Sequence, residues 1–110
     1  MKRIARVLAL GCLLALPFAA QALDHVANGK AKAQSCAACH GPDGNKPIGP
    51  DFPILAGQHA DYLRKALLDY KSGARANPIM KGFAEPLSKQ DIEDLSAYFA
   101  AQSSQLQSHR

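Results

Sequence analysis

The sequence predicts an all-α domain. Apolar residues recur at helical spacing in two segments, a third segment is rich in Ala and Lys, and no stretch alternates apolar and polar residues as a half-buried strand would. Between the helical segments lie two stretches interrupted by Gly and Pro, which break both helices and inner strands. At 110 residues the chain is long enough for one domain.

The chain begins with a segment that has the three parts of a secretory signal. Lys2, Arg3 and Arg6 precede an apolar run from Val7 to Phe18, and Ala20-Gln21-Ala22 supplies the small residues of a cleavage site. Cleavage is expected after Ala22, giving a leader of residues 1–22 and a mature domain of residues 23–110. The alternative is an uncleaved membrane anchor, but the apolar run is shorter than the roughly 20 residues a spanning helix needs, so cleavage is preferred, and no membrane insertion is expected after it. Cys12 lies in the middle of the run, where it is ordinary filler of the leader.

Residues 25–35 form the first expected helix, ending at the cysteine pair; Gly29 is its one weak position. From Gly41 to Gly57 repeated Gly and Pro demand a long loop, which in so small a domain implies that something fills the space it encloses. Residues 59–72 return to helical spacing, with Tyr62, Leu63, Ala66, Leu67 and Tyr70 on one face and Gly73 as the stop. Residues 74–87 read as a second irregular stretch. Ser88 is then an expected N-cap, with Asp91 three residues on, and Ile92, Leu95, Tyr98 and Phe99 form the stripe of a terminal helix.

Charge narrows the partners. The whole chain has a net charge of +4, but three of its 13 Lys and Arg lie in the leader, which leaves 10 against 9 Asp and Glu. A balance near +1 removes the argument for a nucleic-acid partner, which needs several clustered cations.

Cys36 and Cys39 are the two cysteines of the mature domain, spaced as Cys36-Ala37-Ala38-Cys39-His40. This is the spacing by which two thiols add to the vinyl groups along one haem edge while the next residue turns its imidazole to the iron. The competing explanations are a tight disulfide, a thioredoxin-type redox pair and a structural zinc site. The redox pair wants a strand before its helix, and zinc wants a second pair of ligands; neither is found in this sequence. The expected cofactor is therefore one covalent haem c, with His40 as an axial ligand and three main helices and long loops wrapped around it.

The second axial position decides between electron transfer and ligand chemistry. Met80, the one methionine of the mature domain, follows Asn77-Pro78 and is the preferred ligand; His59, at the start of a helix, competes with it. His25 and His109, near the ends of the domain, are assigned to solvent. The other ring nitrogen of His40 needs an acceptor, and the carbonyl of Pro50 is the expected one. Phe52, Ile54, Leu55, Leu67, Phe83 and Phe99 are expected to cover the macrocycle.

With these residues in place, the sequence resembles the class I c-type cytochromes, most of all the single-haem halves of the soluble dihaem cytochromes of bacterial respiratory chains. The resemblance covers nearly all of residues 24–102. It rests on Gly29 before Cys36, on Cys36 to Gly41 with Asp43-Gly44-Asn45, and on Phe52-Pro53-Ile54-Leu55-Ala56-Gly57-Gln58 followed by Tyr62-Leu63. It continues in Met80 with Gly82, in Leu87 to Ile92, and in Leu95 to Phe99. It implies that Met80 is the distal ligand, that the Pro50 carbonyl holds His40, and that Gly29 lets the first helix cross closely over Leu95 and Tyr98. The dihaem proteins repeat the unit, whereas this chain has one motif; Phe83 stands where relatives often have a second methionine.

The function expected from these readings is a periplasmic one-electron carrier, not an enzyme, working between redox protein donors and acceptors. The alternative is the haem-c electron-transfer subunit of a dehydrogenase or oxidase, bound to a haem- or flavin-containing partner. A third reading, a sensor with an open iron site, requires that Met80 not be a ligand. Lys46, Lys71, Arg75 and Lys81 on the loops, set against Glu85, Asp91, Glu93 and Asp94 near the terminal helix, could form a dipole that orients a partner.

Overall fold

A computed structural model describes residue 11 and residues 18–104. The described residues form five helices and no strand: α1 (Phe18–Lys32), α2 (Gln34–His40), α3 (Ala60–Ser72), α4 (Pro78–Ala84) and α5 (Lys89–Ala100). Most of the expected leader, and His109, lie outside the described residues. None of the described helices is long and apolar enough to cross a membrane.

Three helices match the expected ones and two are additional. The first expected helix divides at Ala33: α1 ends at Lys32, and the cysteine motif forms a short helix of its own. The second addition corrects the reading of residues 74–87 as irregular, because α4 lies within them. Asn77 starts α4 by accepting a hydrogen bond from the Met80 N–H at 3.0 Å, and Pro78 at the first helical turn has no N–H to leave unsatisfied. Seven residues show too little periodicity to mark a helix between two prolines.

At the other end of the chain the expected signals are realised. The Ser88 side chain accepts from the Asp91 N–H at 3.0 Å while the Asp91 carboxylate accepts from the Ser88 N–H at 2.9 Å, a reciprocal cap on α5. Ile92, Leu95, Tyr98 and Phe99 are all buried. With Ala33 and Leu63 the last three make the core cluster, on which Val26, Cys36, Leu55, Leu67 and Leu87 pack.

The helix α1 packs against α5, which also packs against α3. Gly29 permits the first of these contacts. A Cβ there would lie 2.6 Å from the Tyr98 Cβ, and nearer still to the Asp94 carbonyl oxygen, so two backbones occupy space that any side chain would need. Beside this crossing the Asp94 carboxylate is fully buried. It accepts from His25 Nδ1 at 2.6 Å, from Lys32 Nζ at 2.5 Å and from Gln90 Nε2 at 2.9 Å. Burial alone would push this carboxyl up, but the bonds from Lys32, His25 and Gln90 hold it below the usual range.

Two expectations are corrected at this point. His25 is not a solvent residue; it bonds across the crossing to the deepest carboxylate of the domain. Nor do the acids of α5 form a free half of a dipole, since Asp94 and Asp91 are bound by Lys32, and Glu93 pairs with Arg64 at 3.3 Å. A chain-wide charge tally does not show which acids are paired across helices.

Two outcomes follow for stability. The Gly29→Ala variant should lose about 1–3 kcal/mol, measured by denaturant unfolding of the loaded protein, because the crossing cannot widen without opening the core. Acid should also weaken the fold in a defined window. The Lys32 ammonium, aided by Ser88, lowers the Asp91 carboxyl to about 2, whereas an unfolded aspartate titrates near about 3.9. The stability this provides is complete above the unfolded value and is lost as pH falls through the folded one. Asp91→Asn should flatten that part of the curve of unfolding midpoint against pH.

Candidate functional site

The short helix α2 sets the geometry of the site. Cys36, Cys39 and His40 are separated by three and one residues, so one helical turn aligns all three on one face. Gly41 ends the helix with a φ of +89°, and a Cβ there would lie 2.5 Å from the Lys46 carbonyl oxygen. The chain can therefore turn sharply after the imidazole, and the Ile48 N–H closes the loop on the Cys39 carbonyl at 3.0 Å.

Both thiols are half-buried and unpaired. Burial pushes the Cys36 thiol up, offset in part by a hydrogen bond with Ser35. Cys36 is thus a poor thiolate, unlike the low-pKa cysteine of a redox pair. Among the described residues no group of three His, Cys, Asp or Glu gathers as a metal-binding cluster, so the donors needed for the zinc alternative are not assembled.

His40 is buried, and its Nδ1 lies 2.8 Å from the carbonyl oxygen of Pro53. Donation to a carbonyl places the proton on Nδ1 and leaves the Nε2 lone pair available for a metal. The acceptor corrects the expected one by three residues. The Phe52 N–H returns to the Gly49 carbonyl at 3.2 Å, forming a turn through Pro50 and Asp51, after which the Pro53 carbonyl, not that of Pro50, lies beside the ring. Phe52 meets the imidazole edge-on, with centroids 6.2 Å apart.

A cavity of about 730 Å³ opens in front of these groups. Such a volume lies within the range of small-molecule and cofactor sites, about 300–1,000 Å³. The face of α2 supplies Cys36, Cys39 and His40, and the loop supplies Pro50, Phe52, Pro53 and Leu55. From α3 come Tyr62, Leu63, Leu67 and Tyr70; α4 brings Ile79, Met80 and Phe83; Leu95, Ser96 and Phe99 of α5 close the back. Every residue expected to bind a haem or its iron, Cys36, Cys39, His40, Pro50, Phe52, Leu55, Met80 and Phe83, lies in this wall. His59, the competing ligand, does not.

The position of Met80 is fixed from both ends of α4. Asn77 holds its backbone N–H, and Lys81, the next residue, donates from Nζ to the Lys71 carbonyl at 3.2 Å at the end of α3. Lys71 itself donates to the Leu87 carbonyl. Both ammonium groups thus brace the α3–α4 corner.

Tyr70, Arg75 and Ser96 also line the cavity and were not singled out as its residues by sequence reasoning. The Ser96 hydroxyl is buried with no hydrogen-bond partner among the described residues. A serine within an apolar helical stripe leaves no trace in the pattern by which ligands are recognised. The chemistry of the donor set, two thiols on one edge, an imidazole with its tautomer fixed and one thioether, fits a covalently attached haem.

Comparison with known proteins gives the family. A family model for cytochrome c matches residues 26–103. A cytochrome c4 from Pseudomonas aeruginosa is 49% identical over 89 residues, which is 81% of this chain and 44% of that protein. A cytochrome c-553 from Helicobacter pylori is 41% identical over 98 residues, or 89% of this chain and 95% of that protein. The crystal structure of reduced recombinant cytochrome c4 from Pseudomonas stutzeri superposes with a TM-score of 0.67 at 43% identity, covering 72% of this chain and 46% of the other. The chain thus spans less than half the length of the cytochrome c4 proteins it matches, and nearly the full length of the cytochrome c-553.

Proposed function

This chain belongs to the cytochrome c family, and from that premise we propose that Cys36 and Cys39 hold its haem, that His40 and Met80 are the axial ligands, and that it works in the periplasm. It is an electron carrier with a covalently bound haem c. When bound, that group supplies a one-electron couple at its iron. The observation that supports the residue assignment is the presence of both thiols, the imidazole and the thioether in the wall of a single cavity.

Each residue has a separable task. The thiols of Cys36 and Cys39 fasten one edge, so that position does not depend on affinity. His40 is held twice, by the helix that carries it and by the Pro53 carbonyl, which set the orientation of its ring and its tautomer. Met80 offers a neutral, soft sulfur, which raises the reduction potential relative to a second imidazole. Phe52, Leu55 and Phe83 line the cavity and would pack on a bound haem to keep water from it, which would keep solvent reorganisation small as charge changes.

If His40 and Met80 hold the iron of the bound haem, no coordination place would be left for oxygen or a substrate, which would suit a carrier of electrons better than an enzyme. Export by the residue 1–22 leader puts it in the compartment where its donors and acceptors, other redox proteins, are found.

Replacement of Met80 by Ala tests the assignment. The oxidised wild-type protein should show the far-red band of sulfur-to-iron charge transfer and should not respond to carbon monoxide when reduced. Met80→Ala should lose the band, bind carbon monoxide and fall in potential. An unchanged spectrum and potential would remove Met80 from the ligand set and favour the sensor reading.

A further inference from the structure

The segment that carries Met80 has little of its own to hold it. The helix α4 has seven residues, too few for a helix to be stable by itself, and Ala84 is its one buried residue. Ile79 and Phe83 line the cavity and yet are exposed. Gly82 loosens the helix further: its φ is not positive and a Cβ there would meet nothing within 4 Å, so no contact calls for a glycine. An interior Gly disfavours a helix relative to Ala.

Two lysine bonds supply what burial does not. Lys81 Nζ donates at 3.2 Å to the Lys71 carbonyl, one of those that the last turn of α3 leaves without an internal partner, and the cation there also meets the negative end of the helix. Lys71 Nζ reaches the other way, to the Leu87 carbonyl one residue before the cap of α5. Both bonds are partly buried, and neither lysine makes an ion pair among the described residues. Together they tie the end of α3 to the middle of α4 and to the chain beyond it.

A segment of low burial opens more readily than the core around it. We propose that Lys71 and Lys81 are positioning residues for the distal ligand, and that their two bonds set how often α4 swings away and takes the Met80 sulfur off the iron while the rest of the fold stays closed. This rests on the assignment of Met80 above. The iron–sulfur bond breaks and re-forms with no change of oxidation state and no proton transfer. The α1–α5 crossing and its Asp94 network involve neither lysine, so the opening leaves them intact. The two bonds also act separately, because Lys81 uses the backbone of residue 71, which survives replacement of the Lys71 side chain.

The test measures the opening in the loaded, oxidised protein. Imidazole at low concentration takes the place of the Met80 sulfur only while α4 is open, so the rate at which the far-red band disappears follows the open fraction. Lys81→Ala and Lys71→Ala should each raise that rate about tenfold, the scale of one hydrogen bond from a charged group. The double variant should raise it about a hundredfold, since the two bonds share no atom. Lys81→Arg should return most of the loss, and Gly82→Ala should slow the reaction about fourfold. Lys65→Ala, which removes an exposed ammonium paired with Asp69 within α3, should leave the rate unchanged. Hydrogen exchange read by mass spectrometry should quicken in residues 74–87 of the lysine variants, with α1 and α5 at the parental rate.

Parental imidazole rates in the Lys71 and Lys81 variants would overturn the proposal and leave the haem reading intact. A rise matched by Lys65→Ala would also overturn it, by reducing the effect to net charge. Faster exchange spread equally over α1 and α5 would do the same, because the lysines would then support the whole fold. If neither lysine variant yields holoprotein, Gly82→Ala decides: a slower loss of the band supports the proposal, and an unchanged rate refutes it. A wild-type holoprotein without the far-red band would overturn the Met80 assignment and this inference together.

Discussion

The constraint on which the rest of the structure depends is a cavity of about 730 Å³ in a domain of fewer than a hundred residues. Its lining is largely apolar, so only an occupant with apolar faces can be held there without a desolvation cost that so small a domain cannot absorb. Haem satisfies that requirement and becomes part of the core. Phe99 and Leu95 illustrate the point, because each belongs both to the packed cluster and to the cavity wall. The cavity wall and the core therefore share residues.

Around that cavity the chain builds a frame whose most demanding contact lies on the far side. The crossing of α1 and α5 at Gly29 brings Ala33 into the core, and Ala33 is the joint from which α2 projects its thiols and imidazole. The buried Asp94, shared by His25 and Lys32 of α1 and Gln90 of α5, fixes the rotation of one helix about the other. Removing one partner would leave a buried charge short of compensation, the costly failure of such a network. The ionic contacts of this protein thus serve the frame, and the cavity is left with Arg75 and Asp51 as its charged residues.

Much of this was legible in the sequence, and the reasons are specific. The helices α3 and α5 announced themselves through stripes of bulky residues and, for α5, through the Ser88 and Asp91 cap, all of which act within a few residues of one another. The cysteine motif was legible for the same reason, since a one-turn spacing fixes its own geometry. The partner of His40 was not. Pro50 and Pro53 both offer carbonyl acceptors in the loop in sequence terms, and which one reaches the ring depends on a turn closed by the Phe52 N–H onto Gly49. Nor was α4, which is too short to show periodicity and is stabilised by bonds from Lys81 and Lys71 to distant carbonyls. The solvent assignment of His25 failed because its partner lies 69 positions away.

The central claim is that Cys36 and Cys39 hold one haem covalently, and the intact mass of the protein tests it most directly. Produced in a bacterial host able to attach haem, and unfolded in acid to remove anything bound non-covalently, the chain should keep the added mass of one haem and offer neither thiol to an alkylating reagent. A chain of unmodified mass that takes up two alkyl groups, one on each of these cysteines, would contradict the account.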